Sequence, residues 1–287
     1  MIFFFSCTGN SRWVAELVAK QTDDRLMDMT VLLKGECRFR LAEDESVGFI
    51  FPIHGWRVPK LVLEFMDRLV LEPHDAGCLK RHSSFCLVTA GDSIGEAMER
   101  FSARLKLVQA GTMLSLEMVG SVIMPESYVG LPGMDVDKPK KEQQKIATAA
   151  ERILAFCEVL HTRKQNQPAM DFEKTFLVKG PIPKFFSNIV GGFFERYLIT
   201  DRYFKVDEAK CVHCGICKRV CPVENVQSGC DEATRWLHNG RCLTCFACYH
   251  HCPKRAIEYG RRTRTKGQYY FKKHKIYNIR YNKNEER

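Results

Sequence analysis

The chain has 287 residues, enough for about two domains and for a sizeable buried core that needs no disulfides. Its hydrophobic fraction of 45% and charged fraction of 27% are ordinary for globular proteins and argue against disordered, collagen-like and membrane classes. Two quantities are unusual, because the chain contains 14 cysteines and has a net charge of +10.

The positive charge is concentrated in one segment. Residues 261–287 contain ten Lys and Arg against two acidic residues, so this segment carries +8 of the +10. Such charge blocks are most often solvated extensions. Tyr and Phe residues alternate with the basic ones, which keeps nucleic-acid binding open as a less favoured alternative.

Cysteine usage indicates metal binding. Nine of the cysteines fall between Cys211 and Cys252, and eight of these belong to two regularly spaced runs. The opening seven residues lack the basic region and the apolar length of a signal peptide. The apolar stretch 185–199 is interrupted by Asn188, Glu195 and Arg196, so no transmembrane segment is predicted. We therefore expect a cytoplasmic protein whose clustered, reduced thiols hold metal.

The first 160 residues alternate short apolar runs with amphipathic stretches. The apolar runs predict five strands, at 2–5, 26–30, 47–51, 85–90 and 114–123. Helical spacing is found at 13–20, 60–71, 95–108 and 141–160. Strand followed by helix, repeated, predicts a parallel sheet with helices on both faces.

Composition changes divide the chain into four parts. We expect a first domain at 1–165, a connector at 166–204, a cysteine-rich domain at 205–260 and a basic tail at 261–287. Within the connector, residues 184–198 include the aromatic pairs Phe185–Phe186 and Phe193–Phe194. These aromatics predict a helix that packs between domains. A membrane-surface helix is the alternative, but its positive charge is too sparse for lipid binding.

The most specific motif is a four-cysteine run, followed by proline, that occurs twice about thirty residues apart. In each run, three thiolates spaced by two residues suit one 4Fe-4S cluster, while the fourth reaches the other cluster. Ligation is therefore expected to be crossed. One cluster is assigned to Cys211, Cys214, Cys217 and Cys252, and the other to Cys242, Cys245, Cys248 and Cys221.

Structural zinc is the alternative for these cysteines. A zinc site needs only two Cys-x-x-Cys pairs, which leaves the third cysteine and the Cys-Pro ending without a role. The segment resembles the bacterial-type two-cluster ferredoxins, and five further residues stand where that pattern expects them: Gly215, Pro222, Pro253, Ala256 and Ile257. The resemblance implies a small α+β two-cluster domain.

A second motif follows the first strand. Residues 6–11 read Ser-Cys-Thr-Gly-Asn-Ser and lead directly into a helix. Hydroxyl groups and turn amides at a helix N-terminus can hold a phosphate, although Ser and Asn are also common as simple helix caps. In an open parallel sheet the ligand crevice lies where the strand order reverses. The loops at 52–56 and 89–92 follow the third and fourth strands and reach the same edge.

These three loops resemble those of the flavodoxins. The resemblance implies a five-stranded parallel sheet in the order 2-1-3-4-5 with FMN bound at its edge. The cofactor-binding residues that it implies are Ser6, Thr8, Gly9, Asn10, Ser11, Pro52, His54, Gly55, Trp56, Thr89, Gly91 and Asp92. The first five would surround the phosphate, and Trp56 would stack on the flavin or else pack on the sheet. Cys7 departs from the small residue that is usual at its position.

Together the two halves resemble a family of flavodoxin–ferredoxin fusion proteins of anaerobes. The resemblance implies electron transfer, because FMN exchanges two electrons and each cluster one. The sequence presents no nucleophile or proton-transfer constellation, so a carrier is favoured over an oxidoreductase that reduces a small acceptor near His54, Asp92 and Tyr128. We expect a redox protein as partner, with an acidic ferredoxin as candidate because the basic tail would attract it.

Overall fold

The computed structural model describes residues 1–73, 81–110, 113–164, 176–229 and 232–271. The first half contains eight strands: β1 (Ile2–Phe4), β2 (Leu26–Asp28), β3 (Arg38–Leu41), β4 (Val47–Pro52), β5 (Val70–Pro73), β6 (Arg81–Ala90), β7 (Gln109–Ala110) and β8 (Met113–Ile123). Five of them form a parallel sheet in the order β2-β1-β4-β6-β8. Counted within this sheet alone, the order is 2-1-3-4-5, which confirms the predicted flavodoxin-like topology.

Helices cover both faces of this sheet. They are α1 (Asn10–Thr22), α2 (Met29–Leu32), α3 (Lys60–Arg68), α4 (Ala97–Leu105) and α5 (Pro139–Lys164). Apolar side chains of α3 and α4 pack on one face, and those of α1 and α5 pack on the other. Ile2, Phe3 and Phe4 are therefore all buried, as expected for a central parallel strand. In the described part of the chain, no helix is both long and apolar enough to cross a membrane.

A second, smaller sheet was not predicted. The helix expected at 60–71 ends at Arg68, and β5 begins two residues later. β5 pairs in parallel with β3 and β7 in a three-stranded sheet. These strands have two to four residues, too few for an alternating pattern to be visible in the sequence.

The connector contains an irregular helix, α6, over 183–198. Its α turns (Pro183–Phe185 and Gly191–Phe193) alternate with π turns (Phe186–Val190 and Phe194–Leu198). Of its aromatics, Phe194 is buried, whereas Phe185 and Phe193 are about half exposed.

The cysteine-rich half is internally duplicated. It contains α7 (Ile216–Arg219), α8 (Ala247–His250) and the strands β9 (Phe204–Val206), β10 (Val226–Gly229), β11 (Glu232–Trp236) and β12 (Ile257–Tyr259). β9 pairs with β12 and β10 with β11, both antiparallel. Positive φ angles recur at positions 31 residues apart: His213 and Thr244 (49° and 48°), Gly215 and Phe246 (68° and 57°), Glu224 and Arg255 (52° and 51°). The two cysteine runs therefore share one backbone conformation.

The start of the basic segment is packed rather than solvated. Thr263, Tyr269 and Phe271 are buried. The Phe271 amide donates to the Thr8 carbonyl at 2.8 Å, and its ring stacks on Trp13 with 5.0 Å between centroids. The expectation of a solvated tail is therefore wrong over 261–271, while residues 272–287 lie outside the described part of the chain.

Removing the Phe271 ring should destabilise the protein. We expect Phe271→Ala to lower the free energy of unfolding by about 3 kcal/mol, because a buried aromatic is replaced by a cavity beside Trp13. Urea denaturation checks this value. The matched control is Leu107→Ala, since Leu107 is 70% exposed and its loss should change stability by less than about 0.5 kcal/mol. Equal effects of the two substitutions would show that 261–271 does not contribute to the fold.

Candidate functional site

A cleft lies at the carboxyl edge of the main sheet, beyond the ends of β1, β4, β6 and β8. Its empty volume is about 1000 Å³ when the open space out to solvent is included. Eleven of the twelve predicted cofactor residues line it: Ser6, Thr8, Asn10, Ser11, Pro52, His54, Gly55, Trp56, Thr89, Gly91 and Asp92. The twelfth, Gly9, is the N-cap of α1 between Thr8 and Asn10.

The first loop ends in an uncapped helix. Gly9 has a φ of 95°, and no side chain caps the amides of the first turn of α1. A Cβ atom at Gly9 would lie 2.9 Å from the Cβ of Phe271, so this position requires glycine for both conformation and space. The helix therefore presents unpaired amides and a partial positive charge at the cleft wall.

Not every polar side chain of this loop is available to a ligand. The Asn10 amide nitrogen donates to the Pro125 carbonyl at 3.1 Å, and its oxygen accepts from the Tyr269 hydroxyl at 2.6 Å. The Ser11 hydroxyl is hydrogen-bonded to Thr89 at 2.8 Å. Of the five predicted phosphate residues, Ser6 and Thr8 are thus the ones whose hydroxyls can donate to a ligand directly. The Ser6 oxygen also accepts from the Gly9 amide at 3.2 Å.

The loop after β4 forms a tight turn against the connector. His54 and Arg57 are bridged, while Gly55 and Trp56 both have positive φ, which is the geometry of a type I′ turn. The Trp56 indole donates to the Ser93 hydroxyl at 3.0 Å, and its ring contacts Phe186 with 4.8 Å between centroids. Trp56 therefore lies on the cleft wall and packs against α6 rather than on the sheet.

Burial perturbs the titratable groups of the cleft. It lowers the pKa of His54 to about 4, so the imidazole is neutral at pH 7. It raises the pKa of Tyr128 and also that of Glu126, although the amides of Ser127 and Tyr128 donate to the Glu126 carboxylate at 2.8 and 2.7 Å. Glu126 lies so close to Gly91 that a Cβ there would meet its carboxylate. Glu126 is not among the residues predicted from the sequence.

The cysteines form two groups of four. Cys211, Cys214, Cys217 and Cys252 line one small pocket in the cysteine-rich half. This is the first set predicted from crossed ligation. None of the described cysteines forms a disulfide. The Ala256 amide donates to the Cys252 sulfur at 3.3 Å.

The remaining four cysteines form the second group. Burial raises the pKa of the Cys248 thiol, and Cys245, Cys242, Cys221 and, least of the four, Cys217 of the first group raise it further. The Asn225 amide donates to the Cys221 sulfur at 3.3 Å, in the same relation as Ala256 to Cys252 in the other repeat. The fourth cysteine of each run thus accepts an equivalent hydrogen bond from a backbone amide.

The second cysteine group adjoins the cleft. Leu243, Thr244 and Cys245 line it together with the first loop. Burial raises the pKa of the Cys7 thiol, and the nearby Cys245 and Cys221 raise it further. Cys7, the residue that departs from the flavodoxin pattern, therefore occupies the contact between the cleft and the cysteines. Because this contact joins residues more than 200 positions apart, no local sequence signal indicates it.

Comparison with known families supports 4Fe-4S binding by the cysteine-rich half. Residues 203–253 match the family model described as a 4Fe-4S dicluster domain. No curated protein matches the chain. The chain therefore combines a flavodoxin-like sheet with a 4Fe-4S domain.

Two solved structures are similar to the flavodoxin-like half. One is a Bacteroides uniformis protein provisionally described as a flavoprotein, at 18% identity and a TM-score of 0.29, covering 43% of this chain and 91% of its own. The other is general stress protein 14 of Treponema denticola, solved in complex with FMN, at 13% identity and a TM-score of 0.29, covering 55% and 97%. Because these superpositions are poor, the fold assignment depends on the strand order described above.

The crossed arrangement of cysteines can be tested by thiol alkylation. In Cys221→Ser we expect alkylation of Cys242, Cys245 and Cys248 under anaerobic native conditions, because these thiols lose a bound cluster, while Cys211, Cys214 and Cys217 stay protected. Iron should fall from about eight to about four per chain. Peptide mass spectrometry identifies the alkylated thiols.

The matched variant Cys252→Ser should give the reverse pattern. Alkylation of Cys211, Cys214 and Cys217 in Cys221→Ser would mean that each run binds its own cluster, contrary to the prediction.

Proposed function

We propose that this protein is an electron-transfer iron–sulfur flavoprotein in which electrons pass between FMN in the cleft and two 4Fe-4S clusters. The observation that carries the proposal is that Cys245, a ligand of one proposed cluster, lines the same cleft as the phosphate-type loop. Electrons could then move between cofactors without a diffusive encounter. FMN supplies a site that exchanges electrons in pairs or singly, and each cluster exchanges one.

The first loop and the edge of the sheet fit FMN. Unpaired amides of α1 and the hydroxyls of Ser6 and Thr8 would hold the terminal phosphate, as helix N-termini commonly do. The neutral His54 and the rings of Trp56 and Tyr128 provide a mostly uncharged wall for the flavin ring. FMN is favoured over FAD because the sequence lacks the Gly-x-Gly-x-x-Gly turn that binds a pyrophosphate.

The positions of the two cysteine groups indicate which proposed cluster lies nearer to the cleft. We call the site of Cys221, Cys242, Cys245 and Cys248 the proximal site, because it adjoins the cleft, and the site of Cys211, Cys214, Cys217 and Cys252 the distal site. Among the eight cysteines, Cys214 of the distal site is the exposed one. Exposed Lys218 and Arg219 follow it closely in the chain, and exposed Lys254 lines the same pocket. The distal site therefore offers a solvent-accessible, basic end of the electron path.

Nucleic-acid binding through the basic segment receives less support. Tyr269 and Phe271 are buried, and Tyr270 stacks on His251 with 4.4 Å between centroids. These aromatics are already packed against protein groups, and so they do not form an open platform for bases.

Loss of the two loop hydroxyls should weaken flavin binding. For Ser6→Ala combined with Thr8→Ala we expect the Kd for FMN to rise roughly a hundredfold, since two hydrogen bonds to a charged phosphate contribute about 3 kcal/mol together. Fluorescence titration of flavin-depleted protein measures the Kd, with Thr162→Ala on the surface of α5 as control. Cluster content should not change. An unaltered Kd in the double variant would mean that the loop is only a helix start.

The proposed electron path predicts different kinetics for the two cluster variants. After photoreduction of the flavin in anaerobic protein, Cys252→Ser should keep rapid flavin reoxidation, because the proximal site is intact. Cys221→Ser should slow it at least about tenfold, because the remaining cluster lies farther from the cleft. Transient absorbance of flavin and clusters measures both rates. Similar rates in the two variants would contradict the order of the cofactors.

A further inference from the structure

One side of α6 is an apolar surface that the described chain leaves uncovered. We call it the connector-helix face, and it consists of Ile182, Phe185, Ile189, Phe193 and Tyr197. Each of these side chains is between 49% and 62% exposed. Exposed apolar residues are ordinary when scattered, but four on one side of α6, together with Ile182 at its N-cap, mark an interaction surface.

The opposite side of the same helix forms part of the cleft wall. Phe194 lines the cleft, and Phe186 contacts Trp56, which lines it too. Gly191 lies against the carbonyl of Gly55, where a Cβ would approach to 2.5 Å. A protein bound to the connector-helix face would therefore be separated from the cleft by about one helix diameter, roughly 10 Å.

The charges around the connector-helix face indicate which kind of partner it binds. Lys184 and Arg196 are exposed on α6, and its acidic residue, Glu195, is ion-paired with Arg57 at 2.5 Å. A second copy of this chain would bring like charges together across an antiparallel helix pair. A lipid surface would meet only two cations, too few for the basic face typical of interfacial helices. An acidic protein whose docking surface has an apolar centre complements both the exposed cations and the apolar side chains of the face.

We propose that the connector-helix face docks an acidic redox protein that exchanges electrons with the cleft. The inference rests on the proposed function and adds a second point of exchange, so that electrons can enter at the flavin end and leave at the distal site, or the reverse. In each encounter one electron leaves the reduced partner and one enters this protein, with no bond made or broken. A small, partly apolar surface suits the brief contacts of redox proteins.

The test compares two double variants that each remove exposed apolar side chains. Ile189→Ser with Phe193→Ser alters the face, and Val31→Ser with Leu107→Ser is the control, since Val31 and Leu107 are 64% and 70% exposed on other elements. The probe is an acidic bacterial-type two-cluster ferredoxin, studied anaerobically. We expect the face variant to bind it about tenfold more weakly in titration calorimetry, as for loss of interface anchors, and to lower the second-order rate of electron exchange similarly. The control variant should match the unaltered protein.

Three outcomes would overturn the proposal. Unchanged ferredoxin binding in the face variant, with binding lost in Lys218→Glu combined with Lys254→Glu, would place docking at the distal site alone. Binding of the unaltered protein to phosphatidylglycerol vesicles that the face variant loses, with unchanged ferredoxin binding, would assign the face to lipid. A dimer that the face variant dissociates in sedimentation would assign it to a second copy.

Docking and electron transfer are measured separately. Calorimetry reports binding even if no electron moves, so ferredoxin binding that depends on the face but yields no electron exchange would count against the proposed function and not against the docking site. Flavin and iron contents and reduction by methyl viologen should be equal in both double variants. Equal contents show that slower exchange arises from docking and not from loss of cofactors.

Discussion

The burial of a few apolar side chains across the boundary between the halves fixes the distance between the cleft and the cysteines. Val223 and Leu243 of the cysteine-rich half are buried in the core beneath the sheet, while Val129 is buried in the aromatic core of the cysteine-rich half. Burial of such side chains contributes about 1.5–3 kcal/mol each. The exposed ion pairs across the same boundary, such as Arg241 with Glu64, contribute little. The halves are therefore held by packing, and the contact between Cys7 and Cys245 follows from it.

Two other segments fix the loops of the cleft from outside the sheet. Phe271 lies on the backbone of Thr8 and Gly9, and Phe194 lies on Gly55. In both places a glycine with positive φ allows a phenylalanine to approach the backbone closely, through its Cβ at Gly9 and through its ring at Gly55, so replacement by any larger residue would cause strain and a clash. Packing on both loops reduces the entropy that a ligand must remove on binding. The connector and the start of the basic segment thus hold the cleft loops in place, in addition to the sheet.

The sequence predicted the features that depend on local pattern. Buried strands appear as continuous apolar runs, and the duplicated cysteine spacing indicates cluster ligands because the spacing itself limits the chemistry. The parts that it did not predict depend on contacts between distant residues. The strand at Val70–Pro73 is stabilised by pairing with β3 and β7, and Phe271 is buried because Trp13 lies beneath it. The positive charge of 261–271 led to the prediction that this segment is solvated. Charge patterning carries no information on where the aromatic residues between the charged ones pack.

The titratable groups of the cleft bear on the choice between a carrier and an enzyme acting on a small acceptor. A group that transfers protons works best with a pKa near the working pH. Burial moves the pKa of His54 down to about 4 and that of Tyr128 upward, so both move away from neutrality. Burial moves the pKa of Glu126 toward neutrality, but its carboxylate is bound by the amides of Ser127 and Tyr128 and shapes that loop. The cleft therefore offers a fixed, largely uncharged wall for a flat ring, and this composition favours electron exchange over proton-coupled chemistry on a substrate.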